Sequence, residues 1–519
     1  MPLDTLDSLR DSLWLWVALP ALALAALALT LRGRAPQWRR FPAGLRALRA
    51  SGDGVAPGLS GSLGMLGSFG AATAIGTATA VSLGGAGVLP WVWLFGVLVA
   101  PLRWGATLLA GTDAPGRGDA RAAGSLPRRL LRMGAGFRPV GAALLLLTLA
   151  TAFAWAGAAH AGAVDVVSEA LLARPGTPFA AGAVVLGAAL ALAALASRGG
   201  ATLLGWLAAA GLVTVLGAGA WAALADPAGA VAVLARAFGD AANGVEAAGP
   251  FTGALAGEIA TAAALHVMMP QAATVGVEAS AHALGSGIRG RAATAAALPL
   301  LQAVVATALV MAFVGSGAYR TRSEHTRPLV EGRFYTVPIA TANDRAEGDR
   351  RYAGYVRLVG GTPRNPNLSF GFERGMVGDP TFELDGLPAD LALEVQDGQP
   401  FRMMVNTTAR TLENTAPARL AEVRVRGAML PTGGALYAAG FEAAGGTTAA
   451  QLGLAALLAL AVVGLAFWGL AAGRALPASA PRPAALVAGL LPAAGAGLAL
   501  SGAVPGLLGV GGSLAAALA

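Results

Sequence analysis

Two short stretches place polar atoms where an apolar chain has little use for them. HVMMPQAATVGVEASAHALG, His266 to Gly285, lies in a run long enough to cross a bilayer, yet Pro270, Gln271, Thr274 and Gly276 interrupt it. GSFGAATAIG, Gly67 to Gly76, does the same earlier, with hydroxyls on Ser68, Thr73 and Thr77 and backbone freedom at Gly67 and Gly70. Proline removes a helical donor and glycine weakens a helix. A helix broken within a membrane exposes N–H groups that favour a carboxylate and carbonyls that can ligate a small cation. Such backbone is tolerated only inside protein or beside a wet cavity. The chemistry on offer is noncovalent capture of a solute. Close helix packing uses the same small residues, and the residues alone leave both readings open.

Little else in the chain offers rival chemistry. There is no cysteine, which removes disulfides, thiolate metal sites and cysteine nucleophiles. No P-loop, dinucleotide fingerprint, zinc motif or catalytic triad appears. His160, His282 and His325 are scattered without metal-ligand spacing. His266, just before the second interruption, suits either a proton-sensitive gate or a hydrogen-bonded core position. Met268 and Met269 suit core filling. Glu258 and Glu278 are separated by about 30 Å if the helix between them is continuous, too far for a carboxylate pair. The expectation is a protein that is not an enzyme and has neither cofactor nor metal centre.

The elements that must position these stretches are membrane spans. The 519 residues are 55% hydrophobic and 12% charged, a balance too apolar for a soluble multidomain protein. Eleven segments supply the roughly 20 apolar residues that a span needs, near 12–31, 57–83, 88–111, 139–157, 177–196, 201–223, 251–283, 292–316, 449–472, 484–503 and 505–519. The first follows an acidic head and precedes Arg32, Arg34, Arg39 and Arg40, the reverse of a secretory signal. Its N-terminus is therefore expected outside. That order puts 17 Arg in the short cytoplasmic segments against three, Arg10, Arg174 and Arg236, in the short external ones. All 36 basic residues are Arg, and with heavy Ala and Gly usage this suggests a GC-rich bacterial genome and its inner membrane.

Between Tyr319 and Gly446 the composition turns to mixed charge with period-two runs such as RFYTVPIA, LALEVQ and AEVRVRG, separated by turn signals. Residues 318–446 hold 15 Arg and 15 acidic residues, so the net charge of +8 belongs to the apolar remainder and nucleic-acid binding is not expected. The expected division is a membrane domain at 1–317, an extracytoplasmic β-sandwich-like insertion at 318–446 and a second membrane part at 447–519. The bilayer is one partner, and the insertion is the surface for a soluble protein partner. Arg103, in the inner half of a span, is an intramembrane cation that suits either a functional site or, as the favoured reading, a stem extended to the cytoplasmic interface.

Several stretches resemble the sodium:alanine symporter family: LTLRGRAPQWRRFPAGLRAL, FGAATAIGTATAVSLGGAGVLPWVWLFG, the opening stretch with its AHA, LPLLQAVVATALVMAFVGSG and GLAFWG. The resemblance implies an all-α polytopic fold of about 11 spans, with a leucine-transporter-like inverted repeat of five plus five spans behind one N-terminal span. It implies secondary transport of a small amino acid, with Gly67, Ser68, Gly70, Thr73, Thr77, Gln271, Thr274 and Gly276 around the substrate. This sequence departs from the pattern where sodium would bind. GAAT at Gly70 to Thr73 stands for the family's GTGN, QAAT at Gln271 to Thr274 for NEAG, and Leu460 and Ala461 for paired Thr. Leu452 to Gly473 contains no Ser, Thr, Asn, Asp or Glu. Conventional sodium coupling is not expected, and the alternative is a transport-inactive scaffold or complex subunit that presents the insertion to a partner.

Overall fold

The computed structural model describes residues 12–48, 70–111, 126–172, 178–196, 198–243, 259–260, 263–268, 288–318, 323–328, 376–384, 423–429, 433–476 and 480–501. In chain order the helices are α1 Leu19–Arg32, α2 Pro36–Arg39, α3 Phe41–Leu48, α4 Ala71–Gly84, α5 Val88–Gly111, α6 Leu126–Arg132 and α7 Arg138–Ala150. They continue with α8 Gly157–Leu172, α9 Pro178–Ala196, α10 Arg198–Ala225, α11 Pro227–Asn243, α12 Ile288–Val310, α13 Gly433–Ala475 and α14 Arg482–Leu500. Four π-turns, Trp14–Ala18, Thr151–Ala156, Ala263–Met268 and Met311–Gly315, interrupt or extend this series.

Among the described residues eight helices are long and apolar enough to cross a membrane, running from Trp14–Arg32 to Arg482–Leu500. The chain is a multi-pass helical membrane protein. The expected fold class, about eleven spans in an inverted repeat with an inserted all-β domain, is corrected by this. Helix dominates the described residues, and no all-β domain is found among them. Three short strands, β1 Ser323–Pro328, β2 Met376–Leu384 and β3 Val423–Met429, make one antiparallel sheet in the order β1-β3-β2, and the described residues hold no second layer to form a sandwich. Alternation in sequence is a local signal and does not fix how many runs pair. The expected span 57–83 yields only the shorter α4 within the described residues, and 505–519 lies outside them.

Two compact units divide the chain: Met1–Val245, Ala254–Tyr319 and Thr432–Ala519 form one, and Glu246–Gly253 with Arg320–Pro431 form the other. The first unit takes residues 433–446, which the period-two reading had assigned to the insertion. These residues are the start of α13, with Leu436, Tyr437 and Phe441 fully buried. Their spacing of one and four is helical, and the flanking glycine pairs had disguised the segment as a loop.

Small residues set how closely the helices pack. The helix α13 is the most deeply buried span, 83% of its most apolar window lying inside the protein, whereas Trp14–Arg32 is only 11% buried and presents its sides to lipid. A methyl group added at Gly469 would lie 2.3 Å from the Gly489 carbonyl oxygen of α14, and one at Gly473 would lie 2.8 Å from that of Ala485. Against α9, Gly187 receives Leu465; against α10, Gly211 receives Leu460. The turn Gly85–Gly87 links α4 to α5. Gly85 has a positive φ of 52°, and Gly87 lies so close to α11 that an added methyl would sit 2.7 Å from the Asp240 carbonyl carbon.

The helix α5 packs antiparallel against α12. Gly96 faces Pro299 and Ala303, and Trp93 Nε1–H donates to Thr307 Oγ1 at 2.9 Å. The Thr307 hydroxyl donates in turn to the Ala303 carbonyl at 2.7 Å. Replacing Trp93 with Phe keeps a ring but removes this bond, and should cost about 1 kcal/mol in a denaturation measurement on purified protein. A loss below about 0.3 kcal/mol would mean that the bond between the helices carries no net stability.

Candidate functional site

Helix α4 begins inside the protein. Gly70 is its N-cap in an extended conformation, φ −134° and ψ −171°, and among the described residues no side chain caps this end. Gly70, Ala71, Ala72 and Thr73 are all buried. The first intrahelical bond runs from the Ala74 N–H to the Gly70 carbonyl at 3.1 Å. A helix start of this kind directs backbone donors and the positive end of the peptide dipoles toward whatever lies before it.

Thr73 and Thr77 stand one turn apart on α4, 2% and 0% exposed. The Thr77 hydroxyl donates to the Thr73 carbonyl at 2.7 Å, and Thr79 repeats this toward Ile75 at 3.0 Å. The proton of the Thr77 hydroxyl is thus spent on its own helix, and its oxygen keeps only acceptor capacity for a solute. Of the eight residues expected to surround a substrate, the structure places Gly70, Thr73 and Thr77 on successive turns at one helix start. Gly67, Ser68, Gln271, Thr274 and Gly276 lie outside the described residues.

The second stretch is described up to Met268. It winds as a π-turn, Ala263–Met268, in which Ala263, Ala264, Val267 and Met268 are buried. Turns of this type are rare and cluster at functional places. Ile259 sits against Gly84, where an added methyl would lie 2.7 Å from its Cγ2, and the π-turn continues alongside α4. The two interrupted segments therefore touch, with Ile259 at the end of α4 away from Gly70.

A residue missed in the sequence secures this arrangement. Gln302, on α12 and fully buried, donates from Nε2 to the Val267 carbonyl, three residues before Pro270. The Val267 carbonyl thus takes its donor from a side chain on the neighbouring helix. Its other end, Oε1, is buried without a hydrogen-bond partner. A lone amide in LPLLQAVVATALV was the available signal, since polar side chains inside a membrane are rarely idle.

Leu460 and Ala461, in place of the family's hydroxyl pair, are both fully buried, and Leu460 points its methyls at Gly211 on α10. No side-chain oxygen comes from 452–473. His160 on α8 lies against α13 where Gly464 makes room: an added methyl there would be 2.1 Å from Nε2. Its Nδ1 faces the Ala156 carbonyl at 2.7 Å and so carries the proton.

Arg103, expected to extend to the interface, is instead 1% exposed. Its stretch of α5 is enclosed by protein: Trp104 packs on Gly33, Gly105 on Leu29, and α12 covers another side. Among the described residues no group of three His, Asp or Glu side chains could hold a metal ion. His266 and both Glu258 and Glu278 have no described side chain. Comparison of the whole chain with known protein families and with curated proteins finds no match.

Proposed function

We propose that this protein is a divergent secondary transporter that carries a small amino acid or a similar solute across the bacterial inner membrane. The observation that supports this reading is the contact inside the bundle between α4, whose N-cap Gly70 is buried, and the π-turn that ends at Met268. Donors at the first suit a carboxylate and carbonyls at the second suit an amino group or cation. The solute class follows from the resemblance to sodium:alanine symporters. The Arg asymmetry supports an external N-terminus and an external position for 320–431.

Conventional sodium coupling is not part of this proposal. A hard cation needs several oxygen ligands, and α13 brings only Leu460, Ala461 and their neighbours to the bundle centre. Purified protein in liposomes should take up labelled small neutral amino acids, with less than about a twofold change when sodium is replaced by choline and a proton gradient is kept. Uptake that depends steeply on sodium would refute the uncoupling, and no uptake under either gradient by folded protein would refute transport.

The apolar filling of α13 favours a second reading, a scaffold that anchors 320–431 for a soluble protein partner. Because α13 begins at Gly433, a deletion that tests this must stop at 431 and spare the helix. Loss of a co-purifying partner from a protein that takes up no solute would favour the scaffold, whereas intact uptake with no partner lost would count against it.

A further inference from the structure

The connector that leaves the first span is a fixed turn. Helix α1 packs on α5 through one face, where Gly33 meets Trp104 and Leu29 meets Gly105. Its end closes with the Gly33 N–H on the Leu29 carbonyl and the Ala35 N–H on the Thr30 carbonyl, both at 2.8 Å. Arg34 and Ala35 then take positive φ values of 52° and 56° in succession. Residues with a side chain rarely adopt that region, and they persist there only where the surroundings hold them. The holding contacts follow at once. Pro36 and Gln37 are buried, and Gln37 Nε2 donates back to Thr30 Oγ1 at 3.4 Å.

What this turn presents outward is cationic and aromatic. Arg32, Arg34, Arg39 and Arg40 are all exposed, and Trp38 among them is 58% exposed. No acidic residue occurs between Asp11 and Asp53, and none of the four guanidiniums makes an ion pair with a described residue. On the face of α1 turned away from α5, Leu24, Leu27 and Leu31 are exposed at a spacing of three and four that ends beside Arg32. Only 11% of the apolar window of this span is buried inside the protein, so the leucine stripe meets acyl chains.

We infer that this turn is a binding site for an anionic phospholipid. Its guanidiniums hold the headgroup phosphate, Trp38 lies at headgroup level, and the acyl chains run along Leu31, Leu27 and Leu24. A guanidinium matches phosphate oxygens with two parallel N–H donors. Tryptophan suits the boundary between chains and water, and cations beside the end of a span attract anionic headgroups. Orienting a span needs only a surplus of Arg, which a loose tail would supply equally well. Holding that surplus on a left-handed turn, anchored by a buried glutamine, preorganises it for one ligand. The leucine stripe that leads into the cluster selects a lipid over free phosphate. The inference needs the membrane span alone and is independent of what the bundle carries.

The test titrates the purified full chain, in a non-ionic detergent, with phosphatidylglycerol and counts bound lipid by native mass spectrometry. Binding should saturate and be about tenfold or more tighter than that of phosphatidylcholine. Arg39→Gln combined with Arg40→Gln should weaken it about 25-fold, about fivefold for each cation removed from beside an anionic headgroup. Arg138→Gln combined with Arg482→Gln removes the same charge at two exposed positions elsewhere, and should change it less than about twofold. Because Arg39 and Arg40 are exposed, their double variant should unfold like the unaltered protein in micelles with phosphatidylcholine alone, which separates lost binding from misfolding. The site is overturned if the two double variants weaken binding alike, or if the unaltered protein binds phosphatidylcholine as tightly. It is also overturned if inorganic phosphate, at matched ionic strength, displaces the lipid, since the turn would then be a site for free phosphate.

Discussion

Replacing Gly495 by alanine should destabilise the protein by about 3 kcal/mol, the upper end of the usual cost of overpacking. The added methyl would lie 1.8 Å from the Phe153 carbonyl oxygen and 2.8 Å from its carbon. A flexible side chain could swing away from such a contact, but this obstacle is backbone inside the Thr151–Ala156 π-turn, with Gly157 directly behind it. Relief requires α14 to shift as a body, which loosens its contacts with α8, α9 and α13 together. The measurement is the unfolding free energy in detergent, followed by tryptophan fluorescence. Gly497→Ala is the control, because nothing lies within 4 Å of a methyl added there. It should be neutral or stabilise by up to about 1 kcal/mol through helix propensity. Equal effects at the two positions would mean that α14 does not approach the π-turn as described.

The second large effect is expected at Gln302. Changing it to leucine keeps a similar volume and leaves the Val267 carbonyl buried without its donor, a penalty of about 1–3 kcal/mol. Part of this is returned, because the buried and unpartnered Oε1 goes with it. A net loss of about 1–2 kcal/mol in unfolding free energy is expected. If transport uses the π-turn, uptake should fall at least tenfold, well beyond what the modest loss of stability explains, because the freed carbonyl sets the shape of the interruption. A variant with wild-type uptake and lowered stability would confine Gln302 to a purely structural role.

Much of the bundle was legible because membrane spans announce themselves by length and composition. Trp14–Arg32, Pro178–Leu195, Leu203–Ala225 and Arg482–Leu500 fall within a few residues of where the apolar runs placed them. The start of α13 was not, because GGALYAAGFEAAGG carries too few apolar residues to declare a helix until Phe313 and Val166 are seen beside it. Depth in a span likewise told nothing about neighbours. Arg103 was assigned to the interface from its place in the sequence, and enclosure by α12 and Trp104's contact with Gly33 buries it instead. For the site, residue type located Gly70, Thr73 and Thr77, but their pairing inside one helix is a matter of geometry. Gln302 belongs to a different span from the carbonyl it serves, 35 residues away in sequence, and no local pattern links the two.

The π-turn at Thr151–Ala156 carries a consequence for how this chain can change over generations. Such a turn holds about one residue more than the α-helical turn it replaces, so it is an insertion that the helix has absorbed without breaking. Deleting one residue from 151–156 would restore regular winding and leave the faces beyond it close to their present phase. His160 would then keep its place in the gap above Gly464 and Gly157 its contact with Gly495, whereas one residue lost from the regular winding of α8 would turn whatever follows it by about 100°. The wide turn thus takes up a change of length that the α8 half of this span could not. Lineages can gain or lose a residue here without re-matching the faces that meet the small residues of α13 and α14.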